Sequence, residues 1–346
     1  MTAVTIAIDA MGGDYGPPVT IPAAVDALSR FADLRLIMVG DADTLKNELR
    51  QYQFDAARLT IQHASQTVAM DELPSQALRT KKDSSMRVAI DLVKEGRADA
   101  CVSAGNTGAL MMTARFVLKT LPGIDRPAII SALPTYRTDK VVRILDLGAN
   151  VESSAENLVQ FAVMGSVLAS VVGNIQQPKV YLLNIGEEEI KGNEQVKQTA
   201  QLLTDNQIVR YAGYIEGDKM YQGEADVIVC DGFIGNIVLK NTEGVAVLIK
   251  TIMKEAFMRS WMNKLLGLMV KPVMKSFAHR IDPGHYNGAT LIGLQGTVIK
   301  SHGSANASAF TNAIKEAMMG AQCNIPVRIR DEVEKLLKNL KPAADE

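Results

Sequence analysis

Cysteine is scarce: Cys101, Cys230 and Cys323 are the only three in 346 residues, and no two form a CxxC pair. That excludes a disulfide framework and a cysteine-rich zinc site, and it predicts a reducing compartment. Histidine is scarce too. His63, His279, His285 and His302 show no metal-ligand spacing and HExxH is absent, so no metal is expected. GxGxxG, GxxxxGK[ST] and GxSxG are also missing, which argues against a dinucleotide fold, a P-loop and a nucleophile-elbow hydrolase. The GGxxG of Gly12, Gly13 and Gly16 is no substitute for the first of these.

Excess charge is lacking as well. With 37 Lys+Arg against 38 Asp+Glu the net charge is -1, without the broad positive field of a dedicated nucleic-acid binder, so no nucleic-acid partner is expected. The longest nearly apolar run, Phe161 to Val172, falls short of the ~20 residues that cross a bilayer. Asp9 interrupts VTIAI near the start, so no secretory signal is expected. The expectation is a cytoplasmic protein, unless something holds it to a membrane surface.

What is present reads as α/β. VTIAI (4–8), LRLIMV (34–39), ADACVS (98–103), PAIISAL (127–133), VVRILDL (141–147), KVYLLNI (179–185) and ADVIVCD (225–231) are almost continuously apolar, as strands of a parallel sheet covered on both faces are. SSMRVAIDLVKEG (84–96) predicts an amphipathic helix with Met86, Ala89, Ile90 and Val93 on one face, Ser84 or Ser85 as cap and Gly96 as stop. TLIGLQGTVIK (290–300) predicts two short strands, followed by a helix from about Ala305. The expected architecture is a doubly wound, mostly parallel sheet with an added helical and β-hairpin subdomain. Residues 1–346 form one catalytic unit in this reading, and the closing KPAADE is a frayed tail.

The chemistry should follow the strands. DAMGGDYG, AGNTG, GAN (148–150), GEEEIKG (186–192) and GFIGN (232–236) each come directly after an apolar run. In a parallel sheet all five turns gather at the carboxyl edge, where glycine admits close backbone approach and helix N-termini attract anions. The expected ligand is phosphate. Ser103, Asn106 and Thr107, with Gly105 and Gly108, are the first candidates to hold it, joined by Gly12, Gly13, Gly186 and His302. Asp9, Asp14 and Asp146 are expected to hold turn amides rather than substrate, because carboxylates repel phosphate.

AIDAMGGDYGP, SAGNTGALM, LDLGAN, LLNIGEEEIKG, DVIVCDGFIGN and GLQGTVIKSHGSA together resemble, in order, the blocks of the bacterial phosphate acyltransferase (PlsX) family of phospholipid synthesis. The resemblance runs from about residue 5 to residue 320. It implies transfer of a fatty acyl group from acyl carrier protein to inorganic phosphate, without an organic cofactor. It also implies a homodimer, a core similar to isocitrate dehydrogenase and phosphotransacetylase, and a membrane glycerol-3-phosphate acyltransferase as a possible partner. Lys191 and Asn236 are the residues it points to as catalytic. From the residues alone, Lys191 could equally pair with Glu187, Glu188 or Glu189, and Asn236 could be a helix cap.

Between Lys254 and Arg280, six basic residues (Lys254, Arg259, Lys264, Lys271, Lys275 and Arg280) face one acid, Glu255. The rest is largely apolar and includes the only tryptophan, Trp261. Residues 251–280 are read as an amphipathic helical hairpin broken at Gly267 and Pro272, with Leu265, Leu266, Leu268, Met269 and Val270 at its tip. Packing in the core or against a dimer partner is the commoner fate of such stripes. Here Trp261, Lys264, Leu265, Leu266, Leu268, Met269 and Lys271 are expected to meet an anionic membrane or the acidic carrier protein. Two rival readings stand: an NAD-dependent dehydrogenase of similar core fold, and a non-catalytic membrane or carrier-protein docking module.

Overall fold

The structure is a computed structural model and describes residues 3–274, Phe277 and 283–339. In chain order its first part comprises β1 (Val4–Asp9), α1 (Pro17–Arg30), β2 (Leu34–Gly40), α2 (Ala42–Leu49), β3 (Leu59–His63), α3 (Pro74–Thr80), α4 (Ser85–Lys94), β4 (Ala100–Ser103) and α5 (Thr107–Leu118). The middle holds β5 (Ala128–Pro134), β6 (Val141–Leu145), α6 (Ala155–Gly173), β7 (Val180–Leu183), α7 (Glu194–Asn206), β8 (Tyr211–Ile215) and β9 (Val227–Val229). Then come α8 (Gly232–Met258), α9 (Trp261–Met269), β10 (Ala289–Ile292), β11 (Thr297–Lys300), α10 (Ala307–Gln322) and α11 (Ile325–Asn339). Residues 341–346, which include the expected frayed tail, lie outside the described residues.

Local chemistry accounts for the boundaries. Ser84 caps α4 by accepting from the Arg87 amide, and Gly96 ends the segment at φ +70°. Met86, Ala89 and Ile90 are buried, as their spacing predicts; Leu92 is buried where Val93 is only partly so. The seven apolar runs all contain strands. Two more strands, β3 and β8, border the sheet with half-exposed LTIQH and YAGYI, whose mixed polarity gives no continuous apolar signal.

The eleven strands among the described residues form one sheet in the order β3-β2-β1-β4-β11-β10-β5-β6-β9-β7-β8. The hairpin β10–β11 is not an appendage: it lies in the middle of this sheet. β10 runs antiparallel to both β11 and β5, and β5 antiparallel to β6, while the strands on either side pair in parallel. Three reversals in a row leave the two halves pointing in opposite directions. The turns after β1, β4 and β11 therefore open on one edge, and those after β6, β9 and β7 on the other. This corrects the expectation of five turns on one edge, since an apolar run records burial on both faces but not strand direction.

The core alternates with the strands. Ile6 and Ile8 face one layer under α1 and α10, while Leu145, Val180 and Leu182 continue that layer under α6. Ala7, Ile129, Val142 and Ile144 face the opposite layer, covered by α4, α5 and the start of α8. α6 is long and apolar because it is a core helix, with 61% of its apolar window buried. α8 is also apolar by composition, with a mean hydropathy of 1.2 against 1.5 for α6, yet only 11% of that stretch is buried. It leaves the sheet and carries α9 with it.

Candidate active site

On the first edge, three turns meet backbone to backbone. The Asp14 amide donates to the Gly303 carbonyl at 3.0 Å, tying the loop after β1 to the loop after β11. Gly13 sits at φ +91°, and a Cβ there would lie 2.9 Å from that of Ala104, so only glycine fits between these turns. Asp9 is buried at the end of β1 and its Oδ2 accepts from the Ser103 hydroxyl at 2.6 Å; the same hydroxyl oxygen accepts from the Gly105 amide at 3.0 Å. Burial raises the Asp9 carboxyl above its ordinary range, against hydrogen bonds led by Ser103.

Two expected phosphate donors are thereby committed elsewhere. The one proton of Ser103 goes to Asp9. Asn106 caps α5 through Oδ1 on the Ala109 amide, and its Nδ2 donates to the carbonyls of Met70 (2.7 Å) and Glu72 (3.1 Å). Free side-chain hydroxyls and amides look identical in a sequence to those already engaged. What the turn offers a ligand is the exposed first turn of α5 at Thr107 and Gly108, whose amides precede the intrahelical ladder.

On the second edge Asp146 organises the turn after β6. Its carboxylate accepts from the amides of Ile129 (2.9 Å), Ala149 (2.9 Å) and Asn150 (2.7 Å) and from Asn150 Nδ2 (2.9 Å). This is the turn-holding role expected of it, and burial raises its carboxyl despite those bonds. α8 starts against this turn. Asp231 is its cap, accepting from the Ile234 amide at 2.9 Å, so Asn236 is not a cap. Asn236 is exposed one turn into the helix, with its side chain beside Gly148. β7 neighbours β9, so the chain leaving β7 toward the Gly186–Gly192 loop exits beside the chain that leads into α8. Lys191 in that loop is exposed and has no carboxylate within 4 Å among the described residues; Glu187 pairs instead with Lys219 at 2.9 Å.

α8 connects the two edges. Asn236, Lys240 and Glu243 follow i, i+4, i+7 and share one helix face. Lys240 Nζ lies 2.9 Å from Glu243 and 3.5 Å from His302 Nε2 on the first edge. One helical turn, about 6 Å of axis, thus separates Asn236 from the group that touches His302. His302 Nδ1 lies 3.3 Å from the Ser304 amide and 2.9 Å from the Ser304 hydroxyl, while Nε2 faces the Lys240 ammonium. Burial holds the His302 pKa below its usual value; Lys240 and Lys300 add to this and Glu243 opposes it. His302 is therefore neutral near pH 7 and not a proton source. Lys300, absent from the sequence-derived candidates, ends β11 beside it and donates to the carbonyls of Ala104 (3.3 Å) and Ser301. A lysine following TVI in a strand has no signature of its own.

Residues 4–328 match the family described as "Fatty acid synthesis protein". A phosphate acyltransferase of Legionella pneumophila is 55% identical over 334 residues, 96% of this chain and 97% of the relative. Another, from Coxiella burnetii, is 57% identical over 340 residues, covering 97% and 98%. The chain belongs to the phosphate acyltransferase family. Among solved structures, a phosphotransacetylase from Streptococcus pyogenes superposes with a TM-score of 0.62 at 18% identity, covering 93% of this chain and 94% of that one. That likeness places the fold of this chain among the phosphotransacetylase-like sheets.

The helical pair starts earlier than residue 251, because α8 is continuous from Gly232. The bend falls at Arg259 and Ser260, with Ser260 capping α9. Leu265, Leu266, Leu268 and Met269 therefore lie within α9 rather than at a tip. Gly267 does not break α9; it lets the helix approach Phe257 of α8, 3.1 Å from where a Cβ would sit. Trp261, Leu268 and Met269 are 75%, 67% and 71% exposed, and Lys264 and Lys271 are exposed with them. Between α8 and α9 runs an apolar groove of ≈ 680 Å³, walled by Val247, Met253, Phe257 and Leu268 and edged by Lys250, Lys254, Lys264 and Lys271. Lys275 and Arg280 lie outside the described residues.

Proposed function

We propose that this chain transfers a fatty acyl group from acyl carrier protein to inorganic phosphate. The observation that carries the reading is the polar stripe of α8. It sets Asn236 one turn from Lys240 and His302, where the stripe meets the glycine turns of the first edge. Phosphate is already a nucleophile, so no activated serine or cysteine is needed; position and charge suffice. Cys101 and Cys230 suit no such role, since burial raises both thiols well above their usual pKa.

The steps balance without a cofactor. A phosphate oxygen attacks the thioester carbonyl and the carbonyl oxygen takes up negative charge. Collapse breaks the carbon–sulfur bond, leaving acyl phosphate and the carrier thiolate, which takes the proton lost by phosphate or one from water. In this reading the α5 amides of Thr107 and Gly108, with Gly12, Gly13 and His302, hold phosphate. Asn236 donates to the developing oxyanion, and Lys191, on a loop beginning beside the start of α8, adds positive charge. Membership of an acyltransferase family supports this over a dehydrogenase or a docking module. Purified chain incubated with palmitoyl-carrier protein should release free thiol only when phosphate is present. Asn236→Ala and Lys191→Ala should each lower that rate by about 100-fold, the usual effect of losing one transition-state donor. Wild-type rates in both variants would falsify the assignment.

The uncovered apolar faces of α8 and α9 support two further parts of the reading, a homodimer and attachment to an anionic membrane. Ile237, Val247, Leu248 and Ile252 are more than half exposed on α8, more apolar surface than a lone helix ordinarily leaves in water. Basic residues beside leucines and a tryptophan on α9 match an interfacial helix. The same charge favours the acidic carrier protein.

A further inference from the structure

Three carboxyl groups and two ammonium groups stand at the first edge. Asp9 is buried below the turns, Asp14 stands in the loop after β1, and Glu243 approaches from α8. Of the two ammonium groups there, Lys240 pairs with Glu243 at 2.9 Å. Lys300 has no carboxylate within 4 Å among the described residues; its Nζ is bonded to the carbonyls of Ala104 and Ser301. An ammonium has three N–H donors, and a carbonyl neutralises none of its charge. The side chain is largely covered without being sealed. Keeping a lysine there without an ion pair is costly to the fold, and such groups gather at functional sites.

We infer that Lys300 is a phosphate-binding residue: its ammonium, fixed between the carbonyls of Ala104 and Ser301, supplies the countercharge that the committed side chains of Ser103 and Asn106 do not. The inference rests on the reading of the first edge as the phosphate site and deepens it. Ala104 opens the turn that leads to the α5 amides, so one anion can meet both. Burial, with Lys240 adding to it, brings the Lys300 pKa down to about 8, and Asp9 and Asp14 oppose the shift. An anion bound beside it reverses that shift, so uptake of phosphate near pH 8 draws in a proton. The other groups facing Lys300 are His302, neutral over this range, and the Lys240–Glu243 pair on α8.

The test is calorimetric titration of inorganic phosphate into the full chain between pH 7 and pH 9, without acyl donor. Wild type should bind, and its affinity should fall above pH 8. Lys300→Met should bind at least about 10-fold more weakly at pH 7, the worth of one charged hydrogen bond. Lys300→Arg, charged throughout, should bind with no decline above pH 8. Circular dichroism should show both variants folded. Equal phosphate affinity in Lys300→Met overturns the inference, as does a decline above pH 8 that persists in Lys300→Arg. A wild type that neither binds phosphate nor turns over acyl-carrier protein overturns the parent reading together with this one.

Discussion

At the scale of single residues, the buried carboxylates are the fixed points of both edges. Asp146 holds three main-chain amides and the side chain of Asn150. Asp146→Ala leaves those amides buried without acceptors, at about 1–3 kcal/mol each. The expected loss is roughly 3 kcal/mol or more in urea unfolding; a loss under about 1 kcal/mol would mean the turn re-pairs elsewhere. Gly235 offers an opposed pair of effects. Alanine gains about 1 kcal/mol of helix propensity, but its Cβ would lie 1.8 Å from the Asp146 carbonyl, a backbone atom with no rotamer to escape into. The clash wins, and Gly235→Ala should lower the melting temperature. Lys300 carries a pH signature in stability as well. Its folded pKa is about 8 against 10.5 for an ordinary lysine, so between these values the unfolded chain binds the extra proton. Stability contributed by this group therefore rises with pH from about 8 to 10.5, and its burial penalty is complete below 8. Lys300→Met should stabilise most, relative to wild type, at pH 7 and least at pH 10.

At the scale of elements, α8 does two jobs that its sequence shows unequally. Its N-terminal half carries Asn236 and Lys240 across the sheet, and its C-terminal half projects beyond it. The apolar surplus of the second half was legible, because Leu, Ile and Met recur without enough polar positions to cover them. The location of the bend was not. Gly267 and Pro272 read as breakers, and α9 does end at Met269, just before Pro272, but Gly267 is a contact point for Phe257 and the turn between α8 and α9 needs only Arg259 and the Ser260 cap. Edge strands β3 and β8 were illegible for a related reason, since half-exposed strands keep polar residues. By contrast α4 was legible end to end, its cap, stop and buried Met86, Ala89 and Ile90 agreeing with one another. The α9 surface gives a prediction of its own. Leu268→Glu with Met269→Glu places charge on two side chains about 70% exposed, so folding should be untouched while flotation with anionic vesicles is lost. Unchanged flotation would remove the membrane from the account.

At the scale of the whole molecule, the decisive feature is the reversal in the middle of the sheet. The apolar runs located nine of the eleven strands, β10 and β11 included, yet their order and direction came only from pairing. Direction decides which turns share an edge, so the glycine turns were legible as a set while their division was not. The reversal would have split the candidate site in two, were it not for the helix that leaves one edge and reaches the other. Lys191 and Asn236 follow one edge, the turns proposed to hold phosphate line the other, and the stripe Asn236–Lys240–Glu243 links them at His302. The central claim is that this link makes one site in which orthophosphate attacks a thioester. The direct measurement is a phosphate titration of thiol release from acyl-carrier protein, with product followed by ³¹P resonance. The account predicts saturable release, one acyl phosphate formed per thiol freed, and loss of both signals together in Asn236→Ala. Thiol release that proceeds at the same rate without phosphate, yielding free fatty acid, would contradict it.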